Sequence, residues 1–302
     1  MLNPPVEPYM GPWVADPRWR VGARSILAGA EYAIRRFESF GLAGVSASRV
    51  VRARDIVASV QDGVTPLRVA NQSTLTLVAE ANRTLFESYL IARAVAPAHE
   101  MPSPDCVERL QLMLGGADTA DGDTDSNARD AQFELYLLAF LRIGGARAWM
   151  GGPDLWMDYG AETVGVAAKR VSSKKQLGVR LKDGARQVHD TNQRGFLAVN
   201  ADVYFGGMLT PDDLEERGGA AQRRFASLRG YHNKFRADPA IIGLIGFGTV
   251  LRWNTASEPP QLDSSVYAQC RGIMDDPVEK DFMETYFAEV RTGFAARLRN
   301  AL

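Results

Sequence analysis

The sequence contains little cysteine and little histidine, and both shortages exclude classes of protein. Its two cysteines, Cys106 and Cys270, lie far apart without CxxC spacing, and its three histidines are isolated from one another. A disulfide framework needs several paired cysteines, and a structural zinc site needs four closely spaced cysteine or histidine ligands. Both thiols are therefore expected to be reduced, as in a cytosolic protein.

The chain also lacks an excess of charge and any long apolar run. Its 35 lysines and arginines balance 36 acidic residues, for a net charge of -1, whereas a protein that coats nucleic acid is usually basic. Contact with nucleic acid would thus depend on a local basic surface. The longest apolar run, residues 240–251, is about half the length of a membrane span, and the first residues lack signal-peptide order. We expect a cytoplasmic protein without a membrane partner.

The composition is otherwise an ordinary globular mixture, 46% apolar and 24% charged over 302 residues. This length permits one large domain or two smaller ones. Residues 1–114 predict a mainly helical module that begins with an irregular arm rich in proline and tryptophan. Residues 115–130 are acidic and rich in glycine, which favours a linker over a calcium loop because the closing glutamate is missing. Residues 131–302 predict an α/β domain that ends in a C-terminal helix.

Helical and strand-like patterns alternate in this last region. Phe133–Leu141 predicts an apolar helix ended by two glycines, and residues 173–189 predict a second helix. Strands are predicted at 146–150, 154–157, 163–169, 195–201 and 240–253. A further helix is predicted at 211–229, and the last helix is expected to begin with Asp276 as N-cap and Pro277 as first residue. This order indicates an α/β fold with a mixed central sheet flanked by helices.

Three polar residues fall at suggestive places in this pattern. Glu134 lies within the first apolar helix, Asp154 follows Pro153 at the start of a strand, and Lys169 lies near the end of another strand. Carboxylates are ligands for Mg²⁺ or Mn²⁺, which neutralise phosphate charge and acidify a bound water. A nearby lysine can orient or deprotonate that water. The combination is typical of metal-assisted phosphodiester hydrolysis.

In this order the residues resemble the PD-(D/E)XK superfamily, also called restriction endonuclease-like. Pro153-Asp154 matches the PD element, Lys169 matches the lysine of the second element, and Glu134 matches an acid on the first core helix. The resemblance covers residues 130–202, about a quarter of the chain. It implies a restriction endonuclease-like core with Asp154, Lys169 and Glu134 as catalytic residues. It further implies Mg²⁺ (or Mn²⁺) held by Glu134, Asp154 and the backbone carbonyl of Ala168.

The motif departs from the family pattern at one position. The acid expected two places before Lys169 is Ala167, so one metal ligand is missing. The remaining carboxylates and the Ala168 carbonyl could suffice, or Glu162 or Asp158 could take over. The third outcome is an inactive site.

Each of the three residues also has a structural explanation. Asp154 could be a turn residue, and Lys169 could be a solvated strand end. Glu134 shares a face with leucines, and because an unpaired buried carboxylate is costly it needs a partner. A structural salt bridge would explain Glu134 as well as a metal would. A closed pair between Glu134 and Lys169 would favour an inactive protein.

Basic residues follow the candidate site. Arg170, Lys174, Lys175 and Arg180 are expected to contact phosphates of a nucleic acid. Ordinary solvated helix faces are the alternative explanation for these charges.

The function that the resemblance implies is a metal-dependent nuclease that hydrolyses phosphodiester bonds in DNA, or in RNA. Restriction or phage defence is a setting suggested by fold analogy alone. A catalytically inactive relative that binds nucleic acid or protein is the main alternative, and an unrelated α/β binding module is a third. A homodimer or a partner subunit is compatible with the sequence, since cutting two strands often uses two sites.

Overall fold

The architecture was obtained from a computed structural model, which describes residues 23–61, 72–97, 99–119, 126–171, 174–200, 234–236, 238–254, 261–273 and 276–299. Seven α-helices and six strands fall within these residues. The helices are α1 (Ala23–Ser39), α2 (Arg49–Gln61), α3 (Gln72–Ala94), α4 (Pro104–Met113), α5 (Asn127–Gly144), α6 (Lys174–Asp190) and α7 (Pro277–Arg299). The strands are β1 (Ala148–Met150), β2 (Leu155–Tyr159), β3 (Glu162–Arg170), β4 (Gly195–Asn200), β5 (Ile241–Asn254) and β6 (Gln261–Gly272).

The helix ends follow local chemistry. Helix α4 begins at a proline, and the preceding Ser103 accepts a hydrogen bond from the Cys106 amide. Helix α5 ends at Gly144, and the C-cap residue Gly145 takes the left-handed conformation that glycine adopts without steric cost. At α7 the Asp276 carboxylate accepts a hydrogen bond from the Val278 amide at 2.9 Å, so the predicted N-cap is confirmed.

The strands form one mixed sheet in sequential order from β1 to β6. Strands β1, β2 and β3 pair antiparallel, β3, β4 and β5 pair parallel, and β6 returns antiparallel to β5. Helix α6 connects β3 to β4, which is the crossover that two parallel neighbours require. The parallel strands therefore share one carboxyl edge, where β3 and β4 end, and one amino edge, where β3, β4 and β5 begin.

Helix α5 lies at the centre of the larger core. Every residue from Ala128 to Leu141 on this helix except Asp130 is buried, as expected for a helix surrounded by other elements. The rings of Phe133, Tyr136 and Phe140 contact Phe247 of β5 edge to face. The same core includes apolar residues of α1 to α4 and α7, so the N-terminal helices and one face of the sheet share buried surface.

Helix α6 covers the opposite face of the sheet. Leu177, Leu181 and Val188 pack in a second cluster together with Ala167 of β3 and Leu197 of β4. Side chains alternate between faces along a strand, so Ala167 and Lys169 point to the side of α6, whereas Val166 and Ala168 belong to the α5 side.

The predicted fold class is confirmed: the protein is α/β, with a mixed sheet flanked by helices and a helical N-terminal part. The predicted strands and the helix at 173–189 are present within a few residues. Helix α5 begins at Asn127, earlier than predicted and inside the segment assigned to the linker. Strand β6 was not predicted. The N-terminal arm, residues 120–125 of the acidic segment and the helix at 211–229 lie outside the described residues.

None of the described helices has both the length and the apolar character needed to cross a bilayer.

Candidate functional site

The turn before β2 brings Asp154 against the end of β3. Leu155 pairs with Val166 in the antiparallel register, so the preceding residue, Asp154, lies opposite Ala167. Asp154 Oδ2 accepts hydrogen bonds from the Ala168 amide and from Lys169 Nζ, each at 2.8 Å. The structure therefore brings together the two sequence-predicted residues Asp154 and Lys169, and it joins them as an ion pair.

Glycine at position 165 makes room for this turn. A Cβ at Gly165 would lie 2.8 Å from Pro153 Cδ, closer than real Cβ atoms approach. The proline ring thus packs closely against the backbone of β3 at Gly165. This contact fixes the position of the next residue, Asp154, relative to β3.

The Lys169 ammonium lies between two oxygen atoms. It donates to Asp154 Oδ2 at 2.8 Å and to its own neighbour's carbonyl, Ala168 O, at 3.0 Å. These are two of the oxygen donors that the resemblance assigns to a metal. The second carboxylate oxygen, Asp154 Oδ1, accepts no hydrogen bond from any described residue. A cation is therefore already present at the place where the oxygens converge, in the form of the lysine head group.

Glu134 approaches the same place from α5, but its partner is an arginine that the sequence did not single out. Arg109 Nε on α4 lies 2.7 Å from Glu134 Oε2. The contact is an ion pair without hydrogen-bond geometry, since Glu134 Oε2 is buried and accepts no hydrogen bond in the described structure. The closed Glu134–Lys169 pair considered from the sequence is absent from the described contacts, where Lys169 pairs with Asp154 instead.

Other polar residues of α5 also find partners on neighbouring helices. Arg129 pairs with Glu80 of α3 at 2.8 Å, and Gln132 donates to Glu87 of α3 at 2.5 Å. Glu134 thus follows the general rule that buried charges are paired, although its Oε2 atom accepts no hydrogen bond. It differs because its ion pair lies beside two further charges, Asp154 and Lys169.

Burial dominates the electrostatics of the two carboxylates. Burial, followed by the nearby charge of Asp154, raises the pKa of Glu134 to about 7, against the opposing charges of Arg109 and Lys169. Burial also raises the pKa of Asp154, although Lys169 and the Ala168 amide favour its charged form. Two neighbouring carboxyl groups with raised pKa values are a common mark of functional sites. We call Arg109, Glu134, Asp154 and Lys169 the charge cluster.

The replacement of the family's glutamate by Ala167 has a visible steric counterpart. Ala167 is fully buried under α6, and a Cβ built on Gly184 would lie 3.4 Å from the Ala167 methyl and 3.5 Å from Lys169 Cγ. The helix backbone therefore passes close over this part of β3. A longer acid at position 167 would have to displace α6, so the chain pairs a small residue on the strand with a glycine on the helix.

The two acids considered as substitutes lie at the wrong end of the hairpin. Glu162 begins β3, seven residues or about 23 Å along the strand from Lys169. Asp158 lies beside it near the end of β2 and accepts a hydrogen bond from Thr163. Neither carboxylate can join the charge cluster, so Glu162 and Asp158 do not replace the missing ligand.

The predicted phosphate-binding residues lie near the carboxyl edge. Arg170 is the last residue of β3 and is half-buried, and Lys174 begins α6. Lys175 is exposed at the start of α6, and Arg180 is half-buried farther along it. Because α6 returns across the sheet from the end of β3, its first turn lies on the same side as Lys169.

A separate cleft of about 480 Å³ lies at the amino edge of the parallel strands. Its lining includes Glu162, His189 and Arg194. His189 Nε2 lies 2.9 Å from Asp238 Oδ2, and Arg194 lies 3.7 Å from Glu162 and also contacts Glu279. We call this the amino-edge cleft.

The donor atoms of the charge cluster suit a hard cation. Two carboxylates and a backbone carbonyl are the oxygen ligands that Mg²⁺ and Mn²⁺ prefer, and Glu134 Oε2 is a buried oxygen without a hydrogen bond. Among the residues that the structure describes, three or more histidine, cysteine or acidic side chains nowhere gather closely enough to hold a metal. The fit therefore depends on the Ala168 carbonyl and on movement of Lys169.

Comparison with known proteins adds no relative whose site could be set beside the charge cluster. No family model, curated protein or solved structure matches the chain.

Proposed function

We propose that this protein is a metal-dependent nuclease that hydrolyses phosphodiester bonds in DNA, with RNA as the alternative substrate. The observation that supports this most is that Lys169 lies between Asp154 and the Ala168 carbonyl at the carboxyl edge of parallel strands. Glu134 of α5 lies near enough for its charge to interact with those of Asp154 and Lys169. Ligands of open α/β sheets bind preferentially outside that edge. The cluster also matches the order and residue types of the PD-(D/E)XK resemblance.

Asp154, Glu134 and the Ala168 carbonyl would hold Mg²⁺ or Mn²⁺. When bound, such a cation neutralises phosphate charge and lowers the pKa of a coordinated water. The Ala168 amide already fixes Asp154 Oδ2 at 2.8 Å, which leaves Oδ1 as a ligand for the cation. Glu134 has a raised pKa of about 7, so near neutral pH it can give up its proton when a cation arrives.

Lys169 would change partner during this process. Its ammonium rests against Asp154 Oδ2 and Ala168 O, and an incoming cation would compete for those oxygens. The lysine stem is flexible and its head group is a compact donor. Once displaced by a short rotation, the ammonium would remain close enough to orient an attacking water or to neutralise charge on the phosphate.

A catalytically inactive relative that binds nucleic acid or protein is the second candidate. One observation favours it: the charge cluster is closed on itself, with Lys169 on Asp154 and Arg109 on Glu134, and Ala167 replaces an acid. The exposed Lys175 and the half-buried Arg170 and Arg180 would serve either function. We also propose a cytoplasmic location, in keeping with the two free cysteines.

The deciding experiment incubates the protein with supercoiled plasmid, single-stranded DNA and RNA in Mg²⁺ or Mn²⁺. Wild type is compared with Asp154→Asn and Lys169→Met, and with Glu162→Gln as a control on the same strand as Lys169. We expect both cluster variants to lose about 100-fold or more in cleavage rate, and the control to remain active. Folding of each variant is checked by circular dichroism.

Two results would contradict the nuclease proposal. One is a folded wild type that cleaves none of the substrates at saturating metal, which would favour the inactive relative. The other is cleavage that persists unchanged in Asp154→Asn, which would indicate a contaminating nuclease. Titration of Mn²⁺ by electron paramagnetic resonance gives an independent readout, since Asp154→Asn should weaken metal binding even where no cleavage is measured.

A further inference from the structure

Arg109 connects the helical N-terminal part to the charge cluster. It lies on α4, whereas the other three members come from α5, from the turn before β2 and from β3. Its Nε atom lies 2.7 Å from Glu134 Oε2, and its charge also acts on Asp154. Nothing in the sequence pattern assigned a role to this residue.

The two sides of this ion pair differ in exposure. The Glu134 side chain is 10% exposed, whereas the Arg109 side chain is 36% exposed. No described residue accepts a hydrogen bond from the Arg109 guanidinium. A guanidinium has five N–H groups, so the donors that do not face Glu134 are available to a further acceptor. Arg109 instead extends part of its planar head group from the cluster towards solvent.

The charges of the cluster leave Arg109 without a partner once the site is in use. Two acids and two bases balance in the described structure. If Glu134 turns to a cation, it can no longer neutralise Arg109 as fully as before. A phosphate group is then the complementary anion, because a guanidinium binds phosphate through two parallel N–H···O bonds.

We propose that Arg109 is a substrate-binding residue that contacts a backbone phosphate of the nucleic acid. The helical N-terminal part thereby contributes directly to the site, as well as packing against the sheet. This inference rests on the proposed function, and it identifies the phosphodiester backbone as the group that Arg109 of α4 binds. In the free protein Arg109 pairs with Glu134. When the substrate binds, a phosphate group replaces the Glu134 carboxylate as the partner of Arg109.

The test measures binding of a fluorescent DNA oligonucleotide by anisotropy, without metal, over a range of salt concentrations. The variants are Arg109→Gln, Arg109→Lys, Glu134→Gln and the double variant Arg109→Gln/Glu134→Gln. Arg147→Gln is the matched control, because Arg147 is highly exposed and, among the described residues, its side chain pairs only with Asp158, at 3.6 Å, at the far end of β2. The double variant keeps a neutral pair at the contact and protects the fold from an unpaired buried acid.

We expect Arg109→Gln to weaken binding about tenfold or more, as a charge-assisted contact would. It should also reduce the magnitude of the slope of log affinity against log salt by about one, the change expected for the loss of one phosphate contact. Arg109→Lys should restore part of the affinity, and Glu134→Gln should strengthen binding because it releases Arg109. The loss caused by Arg109→Gln should persist in the Glu134→Gln background, and the control should bind like wild type.

Three outcomes would overturn the inference. If Arg109→Gln binds with wild-type affinity and salt slope, Arg109 does not contact the substrate. If its effect disappears in the Glu134→Gln background, Arg109 serves only to neutralise the acid. If wild type binds neither the DNA oligonucleotide nor an RNA of the same length, this inference and the proposed function fail together, whereas the first two outcomes leave the nuclease proposal intact.

Discussion

The two edges of the parallel strands carry similar kinds of residue in very different surroundings. At the carboxyl edge the side chains of Asp154 and Lys169 are only 7% and 12% exposed, and their atoms meet at 2.8 Å. At the amino edge, Glu162 and Arg194 are 56% and 36% exposed and lie 3.7 Å apart. The comparison separates a buried ion pair from an ordinary pair on the wall of an open cleft.

This difference bears on function because burial changes what a charged pair contributes. An exposed pair adds at most about 1 kcal/mol to stability. A buried pair is rarely better than apolar residues of similar volume, since desolvation of both ions offsets their attraction. A chain that keeps four charged residues in the charge cluster gains little stability from them. We infer that their chemistry, rather than their contribution to folding, explains their presence at this edge.

Breaking the buried pair should have the largest effect on stability. Lys169→Met leaves the Asp154 carboxylate buried without its cation, and we expect a loss of about 3–5 kcal/mol in the free energy of unfolding. The double variant Asp154→Asn/Lys169→Met removes both charges and should recover most of that loss. Urea unfolding of the four proteins at pH 8 measures the coupling as a double-mutant cycle. A single variant as stable as wild type would show that Asp154 is hydrated rather than buried.

The second effect is a pH dependence that belongs to Glu134. Its pKa is about 7 in the folded protein, against an ordinary value of 4.5. Below pH 4.5 both states are protonated and the contribution to stability is fully present. Between pH 4.5 and 7 the unfolded chain loses its proton first, so stability falls as pH rises through the folded pKa, by at most about 3 kcal/mol.

Glu134→Gln should flatten this part of the stability profile between pH 4.5 and 8. Because burial also raises the pKa of Asp154, that residue contributes a fall of the same sign in both proteins, so the difference between the two profiles is the quantity to compare. Glu108→Gln, an exposed acid on α4, is the matched control and should follow wild type. Identical slopes for Glu134→Gln and wild type would contradict the assigned burial of this carboxylate.

Much of the carboxyl edge could be predicted from the sequence. The apolar runs and their glycine and proline punctuation place α5, β2, β3 and α6 within a few residues, because period and turn chemistry are local properties. An antiparallel hairpin then brings a residue before one strand opposite the end of the next. For this reason the proximity of Asp154 and Lys169 followed from their positions alone.

The partners within the cluster could not be predicted in the same way. Arg109 belongs to a short helix whose pattern resembles any solvated face, and its contact with Glu134 depends on how α4 packs against α5. A general signal existed, since a glutamate among leucines must find a partner, but it does not name that partner. Strand β6 was missed because its apolar and polar residues do not alternate cleanly, and pairing along β5 decides its conformation.

The smallest effect is expected at the amino edge, where Glu162→Gln removes an exposed partner of Arg194. Arg194 retains its contact with Glu279, so we expect a change below about 1 kcal/mol in the free energy of unfolding. In 1 M NaCl this change should vanish, because salt screens exposed charges beyond about 3 Å, whereas the loss caused by Lys169→Met should persist. Urea unfolding of both variants at low and high salt makes the comparison. If the Glu162→Gln effect were large and resistant to salt, the amino-edge cleft would hold its charges as tightly as the carboxyl edge. The distinction between the two edges would then lose its value as a guide to the functional site.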